Sequence, residues 1–332
     1  MEWLKQTDER KKIIITQAAN NLGLPPHAVE KDWWVTLALR ATFALPMSEH
    51  LVFKGGTSLS KAWQLIERFS EDIDLAIDRS FFGFEGELNK SQIDKLRKKS
   101  CQYVSTQLKQ ELQNKLEELG LDAKDFELKE RPIIYTDTDP QILELNYTSL
   151  FDHGDYMPQR VLIEVGARSL REPAENRLLQ SFIGQNFKES LFADKPFSAL
   201  CVNPQRTFIE KAMLLHEVFL KETDKINPNR MSRHLYDIYK MMDTDFGLKA
   251  VSNADLFQTI VAHRKKYTPI RSLDYGLHTP QTINIIPPEQ ALNAWKQDYQ
   301  VMTANMIYGD APSFETLLKQ MAVLKLRFSQ MA

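Results

Sequence analysis

The chain has 332 residues, 43% hydrophobic and 26% charged, with a formal net charge of −2; that length allows a sizeable core shared among two or three packed layers or domains. The near-neutral balance argues against a strongly basic protein that coats nucleic acid, while leaving room for a local basic groove, and no run of about 18 apolar residues exists to cross a membrane. The start, Met1-Glu2-Trp3-Leu4-Lys5-Gln6, has no basic stretch followed by an apolar one, so no signal peptide is expected, and Cys101 and Cys201 make neither a disulfide framework nor a metal-ligand spacing; a cytoplasmic protein with two buried thiols is expected.

Residues 8–45 read as helical. Ile13, Ile14, Ala18 and Leu22 recur at helical spacing until Gly23 and Pro25-Pro26, and a second helix from Pro26 carries Val29, Trp33, Leu37 and Leu39. Leu51-Val52-Phe53 reads as a buried strand running into Gly55-Gly56. Leu59, Ala62, Trp63 and Ile66 predict a helix from Thr57 to Arg68, and Ile73 to Ile77 the next strand. A long helix is expected over residues 88–120, with Leu96, Tyr103, Leu108, Leu112 and Leu116 inward and Gly120 as its stop. Phe126–Leu128, Ile142–Tyr147 and Arg160–Val165 alternate with period two, as half-buried antiparallel strands do. From about residue 204 the pattern is helical to the end, interrupted by a Pro-, Thr- and Asn-rich loop near residues 268–288. The expected class is α+β: an N-terminal helical segment (1–45), an α+β core with a mixed sheet (46–200) and a C-terminal helical domain (201–332).

The segment from Phe53 to Leu75 carries the chemistry. On a strand, Asp72 and Asp74 point to the same side, and two hard oxygen donors with open positions suit Mg²⁺ bound to nucleotide phosphates. Gly55-Gly56-Thr57-Ser58 opens a helix, where unpaired N–H groups favour an anion and glycine lets the backbone approach a phosphate. A plain turn with an N-cap hydroxyl explains the same residues. The spacing is not that of a Walker A loop.

Glu164 lies in an apolar strand on the side opposite Val161, Ile163 and Val165. It is either a third ligand or base, or an edge-strand carboxylate facing water. Thr207 and Glu210 have capping-box spacing. Lys211, one turn beyond Thr207, is placed as a phosphate clamp. Arg233 and His234 precede Asp237 by one turn and either pair with it, or Asp237 orients Lys211 or Arg233. Ser232 reads as the N-cap of that helix.

Together these segments resemble a known family. The glycine turn, Ser70-Glu71-Asp72-Ile73-Asp74, Leu162-Ile163-Glu164-Val165, Thr207-x-x-Glu210-Lys211 and Arg233-His234-x-x-Asp237 occur in the order seen in AbiEii/AbiGii-type toxin nucleotidyltransferases. Glu30-Lys31-Asp32-Trp33-Trp34 looks like that family's N-terminal signature, and the resemblance runs from about residue 25 to 300. It implies a polymerase-β-like nucleotidyltransferase core and a toxin of a bacterial toxin–antitoxin or phage-defence pair, with a separate antitoxin protein as partner. It also implies NMP transfer from NTP to the 3′ end of tRNA. By position, Thr57 and Ser58 would hold the triphosphate with Gly55 and Gly56, Asp72 and Asp74 would bind Mg²⁺, Lys211 would contact phosphate and Asp237 would complete the site. Thr57 departs from the Ser that follows the glycine in many nucleotidyltransferases, keeping the hydroxyl.

Three rivals stand beside this reading. A metal-dependent nuclease would use the same carboxylates but needs no triphosphate cradle. A non-catalytic Mg-NTP-binding regulator would release no pyrophosphate. Protein nucleotidylylation would place the label on a Ser, Thr or Tyr instead of RNA.

Overall fold

The computed structural model describes residues 1–132, 139–152 and 158–331. The chain forms two compact units, Met1–Ala62 with Phe69–Val202, and Trp63–Arg68 with Asn203–Ala332.

The first unit is built on a seven-stranded mixed sheet in the order β3-β4-β5-β2-β1-β7-β6. Its strands are β1 (Leu51–Lys54), β2 (Ile73–Ile77), β3 (Phe126–Glu130), β4 (Gln141–Tyr147), β5 (Arg160–Gly166), β6 (Ala174–Leu179) and β7 (Phe197–Val202). Strands β1 and β2 are antiparallel, whereas β2 and β5, and β1 and β7, are parallel. Helices α1 (Asp8–Leu22), α2 (Pro26–Phe43), α3 (Gly55–Lys61), α4 (Lys90–Tyr103), α5 (Lys109–Glu118) and α6 (Phe182–Asn186) complete the unit.

Helix α2 organises it. α1 ends where Gly23 takes φ 65°, a left-handed cap that costs glycine little. α2 then starts on Pro26, whose missing N–H has no helical partner to lose. Its apolar residues go all the way round, and Ala28 to Leu39 are buried without a break, the mark of a helix running through a core. α2 packs on β5, β7, α1, α5 and α6. Full burial of Trp33, Trp34, Leu37 or Leu39 is worth about 1.5–3 kcal/mol each relative to exposure.

The sheet alternates cleanly. In β5, Val161, Ile163 and Val165 are buried, while Arg160, Leu162 and Glu164 are only partly so. β4 repeats this with Leu143 and Leu145 inside and Ile142, Glu144 and Asn146 on the polar face. The long helix expected over residues 88–120 forms as α4 and α5, joined by one π turn at Val104–Leu108. Asn89 and Gln92 close a capping box at its start, and Gly120 follows its end with φ 103°.

In the second unit α7 (Pro204–Phe219) packs against α8 (Ser232–Met241), α9 (Asp245–Ala250) and α10 (Ala254–Tyr267). α11 (Leu292–Met306) and α12 (Phe314–Ser329) pack on α8. Phe208 and Phe257 meet Phe328, and Phe219 meets Trp295 edge-on at 4.9 Å. The segment Trp63–Arg68 belongs here: Trp63 meets Phe246 at 5.2 Å, Tyr308 N donates to Glu67 O at 3.0 Å, and Arg68 bridges to Ile307.

Several local expectations are corrected. α3 stops at Lys61 instead of reaching Arg68, and Gln64 takes φ 54°, a left-handed conformation that no helix continues through. Strands β6 and β7 were not anticipated, since Ala174–Leu179 is a polar stretch without alternation and Phe197–Val202 a short mixed run. Thr207 and Glu210 form no capping box. α7 begins three residues earlier on Pro204, capped by Asn203, and Glu210 pairs with Arg206 at 2.9 Å. Ser232 does not cap α8 either; its hydroxyl donates to Asp298 Oδ2 at 2.5 Å.

Candidate active site

On the polar face of the first unit's sheet three of the sequence-predicted residues, Gly55, Asp74 and Glu164, come together. β1 and β2 pair so that Lys54 stands opposite Asp74, and β2 and β5 so that Asp74 stands opposite Glu164. In-register neighbours share a face and lie within side-chain reach. The pairing accounts for a carboxylate in the apolar β5: Glu164 sits in a row with Asp74 and Lys54.

Gly55 sits at the same place. With φ 77°, it turns the chain from β1 into α3 directly over the Asp74 carboxylate, and a β-carbon there would lie 2.0 Å from Asp74 Oδ2. Only glycine allows this approach. Gly55 and Gly56 are half-buried, as are Asp72 and Asp74.

Thr57 and Ser58 are buried. The Thr57 hydroxyl is engaged within the protein, donating to Asp72 O at 2.5 Å, with Ser70 Oγ at 2.9 Å. It therefore ties the first turn of α3 to the run just ahead of β2, which begins at Ile73. Burial pushes the Cys201 thiol, on the adjacent β7, up to about 12, which makes it an inert core residue.

The donors present are of the chemical class that a divalent cation takes. Asp72, Asp74 and Glu164 offer hard carboxylate oxygens. Among the described residues no three His, Cys, Asp or Glu side chains are grouped so that they could hold a metal ion together.

In the second unit Lys211 and Asp237 meet. Lys211 Nζ lies 2.8 Å from Asp237 Oδ2. Asp237 is fully buried and also receives a fork from Arg68, Nε to Oδ1 at 2.6 Å and Nη2 to Oδ2 at 2.8 Å. Burial alone would raise the Asp237 carboxyl, but Arg68 and Lys211 outweigh it and hold it well below the usual carboxylate range. For Lys211 burial dominates and pushes the ammonium down, with Asp237 opposing. His234 Nδ1 lies 3.3 Å from Lys211 Nζ. Burial, then the charges of Lys211 and Arg233, push that imidazole well below its ordinary value, so it is neutral and accepts at Nδ1.

Sequence reasoning assigned no role to Arg68, Lys61, Glu71 or to Glu30, Lys31 and Asp32 individually. The last three are buried side by side on α2. Glu30 accepts from Leu150 N at 2.8 Å and from the Ser149 hydroxyl. Lys31 pairs with Glu71 and donates to Pro158 O at 2.8 Å. Asp32 pairs with Lys61 at 2.5 Å and accepts from Phe182 N at 2.8 Å. The available signal was three consecutive charges between Val29 and Trp33 in an otherwise apolar helix.

Comparison with known proteins gives one family and a structural likeness. A family model described as nucleotidyl transferase AbiEii toxin, type IV toxin–antitoxin system, matches residues 38–320. Among solved structures, MenT4, a nucleotidyltransferase toxin from Mycobacterium tuberculosis H37Rv, aligns with 95% of this chain and 98% of its own at 16% identity and a TM-score of 0.44. No curated protein matches the sequence. Among the described residues, no helix is long and apolar enough to cross a membrane.

Proposed function

We propose a reaction and a division of labour for this chain on the premise that it belongs to the AbiEii family of nucleotidyltransferase toxins of type IV toxin–antitoxin systems. The reaction is transfer of NMP from an NTP to a 3′ hydroxyl of RNA, with tRNA as the acceptor. The acceptor oxygen bonds to the α-phosphorus, the α–β anhydride bond breaks, and pyrophosphate leaves. The setting is a toxin–antitoxin or phage-defence pair, with a separate antitoxin protein as the cognate partner.

The observation that carries this reading is the meeting of Gly55, Asp74 and Glu164 at one point of the sheet's polar face. Asp72 and Asp74 are the residues that would hold Mg²⁺, with Glu164 as third ligand or as base for the acceptor hydroxyl. A bound Mg²⁺ would supply electrostatic stabilisation of charge on the entering and leaving oxygens. The Gly55-Gly56 turn supplies close backbone approach for the triphosphate. Thr57 is a positioning residue in this scheme, since its hydroxyl faces Asp72 O. Ser58 is buried beside it. In the helical unit, Lys211 is the proposed phosphate-contacting cation, and Asp237 orients it.

Such a reaction is mainly positioning and electrostatics. The test is incubation of the protein with each α-labelled NTP and total RNA, followed by sequencing of RNA 3′ ends. A uniform added nucleotide on tRNA, lost in Asp74→Ala with the fold intact, is the expected result. Label on protein instead of RNA would favour nucleotidylylation, and full activity in Asp74→Ala would sink the assignment of the carboxylates.

A further inference from the structure

We propose that Lys31 and Asp32 are positioning residues of the transfer reaction, acting through Glu71 and Lys61 on the two halves of the site. The proposal rests on Asp72 and Asp74 being the metal-holding carboxylates. Neither α2 residue would touch nucleotide. Each lies on a helix packed beneath the sheet, and each holds one of the segments that must meet above it.

The two segments have little tolerance for sliding. Gly55 lies over the Asp74 carboxylate at a distance that excludes a β-carbon, and the Thr57 hydroxyl reaches Asp72 O. A shift of α3 or of the Ser70–Asp74 run by a fraction of an ångström would break this fit. Asp32 holds Lys61, the last residue of α3, at 2.5 Å. Lys31 holds Glu71, which sits between Ser70 and Asp72. Lys31 also holds Pro158 O at 2.8 Å, just before the strand that carries Glu164. Adjacent residues of one rigid helix thus reach the glycine-turn helix, the aspartate run and the approach to β5. All four side chains are buried.

Stability alone does not account for this arrangement. A buried ion pair is expensive to desolvate, and well-packed hydrophobic residues in its place are often as stable or more so. Two such pairs anchored on neighbouring helix positions, each ending at a different functional segment, fit a geometric task.

The experiment follows from that contrast. The double variant K31M/E71L replaces one pair with apolar side chains, and D32N removes one charge while keeping an acceptor for Phe182 N. Label transfer from the four α-labelled NTPs into a total bacterial lysate, counted in both RNA and protein, gives kcat and KM without assuming the acceptor. The expected result is a retained fold and melting temperature in K31M/E71L, a lower melting temperature in D32N, which leaves the buried Lys61 without its counter-charge, a fall in kcat of about tenfold or more in both, a smaller change in NTP KM, and, in K31R, which keeps the charge on Glu71, a higher kcat than in the double variant. Wild-type kcat in folded K31M/E71L, or in D32N should the double variant not fold, overturns the proposal. D74N run in parallel separates the two claims: if D74N transfers at the wild-type rate, the carboxylate assignment fails instead.

Discussion

Gly55 and Asp74 occupy adjoining space so tightly that a β-carbon on the glycine would stand 2.0 Å from the aspartate Oδ2. Three demands are met by the one contact. The positive φ turns β1 into α3, the missing side chain admits a carboxylate, and the carboxylate is brought against backbone that a phosphate could approach.

The first prediction is therefore Gly55→Ala. Left-handed backbone costs an L-residue about 1–2 kcal/mol, and the methyl group must displace Asp74. Stability in urea should fall by at least that amount, since displacing Asp74 adds to the backbone cost, while label transfer falls by about 100-fold, the scale of an ångström misplacement. Wild-type transfer in a folded Gly55→Ala would show that Asp74 need not sit where it does.

How much of this was legible in the sequence depends on the range of the interaction. The glycine turn and the outward side of Glu164 are turn and period-two properties, readable from a few neighbouring residues, whereas β2 begins only at Ile73, so Asp72 lies just ahead of the strand on which the sequence places it. The partners were not legible. Nothing local says that Asp237 faces Arg68, which is 169 positions earlier, or that Lys31 faces Glu71. The Asn203 cap was hidden because Thr207 and Glu210 offer a second, equally spaced solution one turn on. α3 looked longer than it is because Trp63 and Ile66 keep helical spacing. Their apolar side chains serve a different unit, and the left-handed Gln64 ends the helical path before them.

Thr57 gives the second prediction. Its hydroxyl joins α3 to the aspartate run through Asp72 O. Thr57→Ser keeps the donor and should keep transfer near the wild-type rate. Thr57→Val keeps the shape and removes the donor, so stability should fall by about 1 kcal/mol and kcat should fall with it, as read by urea unfolding and label transfer on the same preparations. Equal kcat in the Val and Ser variants would show the hydroxyl to be incidental.

The third concerns the buried charges of the helical unit. Asp237 neutralises both Arg68 and Lys211. Asp237→Ala leaves two cations uncompensated and should cost about 3–5 kcal/mol. Lys211→Met leaves the bidentate Arg68–Asp237 fork intact and should cost clearly less. Urea unfolding of the pair tests the order. A stable Asp237→Ala would mean that the cluster is solvated in solution, and would allow its activity loss to be read as chemistry alone.

The fourth is a pH dependence centred on His234. The folded protein holds this imidazole neutral, through burial first and then the charges of Lys211 and Arg233, while the unfolded chain takes up a proton near pH 6.5 (about the ordinary histidine value). Below that pH the unfolded state binds more protons than the folded state, so stability rises with pH across the window and is lost as pH falls. His234→Gln keeps an acceptor for Lys211 and removes the titration. Between pH about 6.5 and 5, wild-type stability should fall more steeply than that of the variant, by up to about 1.4 kcal/mol per pH unit for one proton. Urea midpoints measured across that range decide it: parallel slopes would mean that His234 takes up its proton in the folded state as readily as in the unfolded one, and that Lys211 then faces a cation.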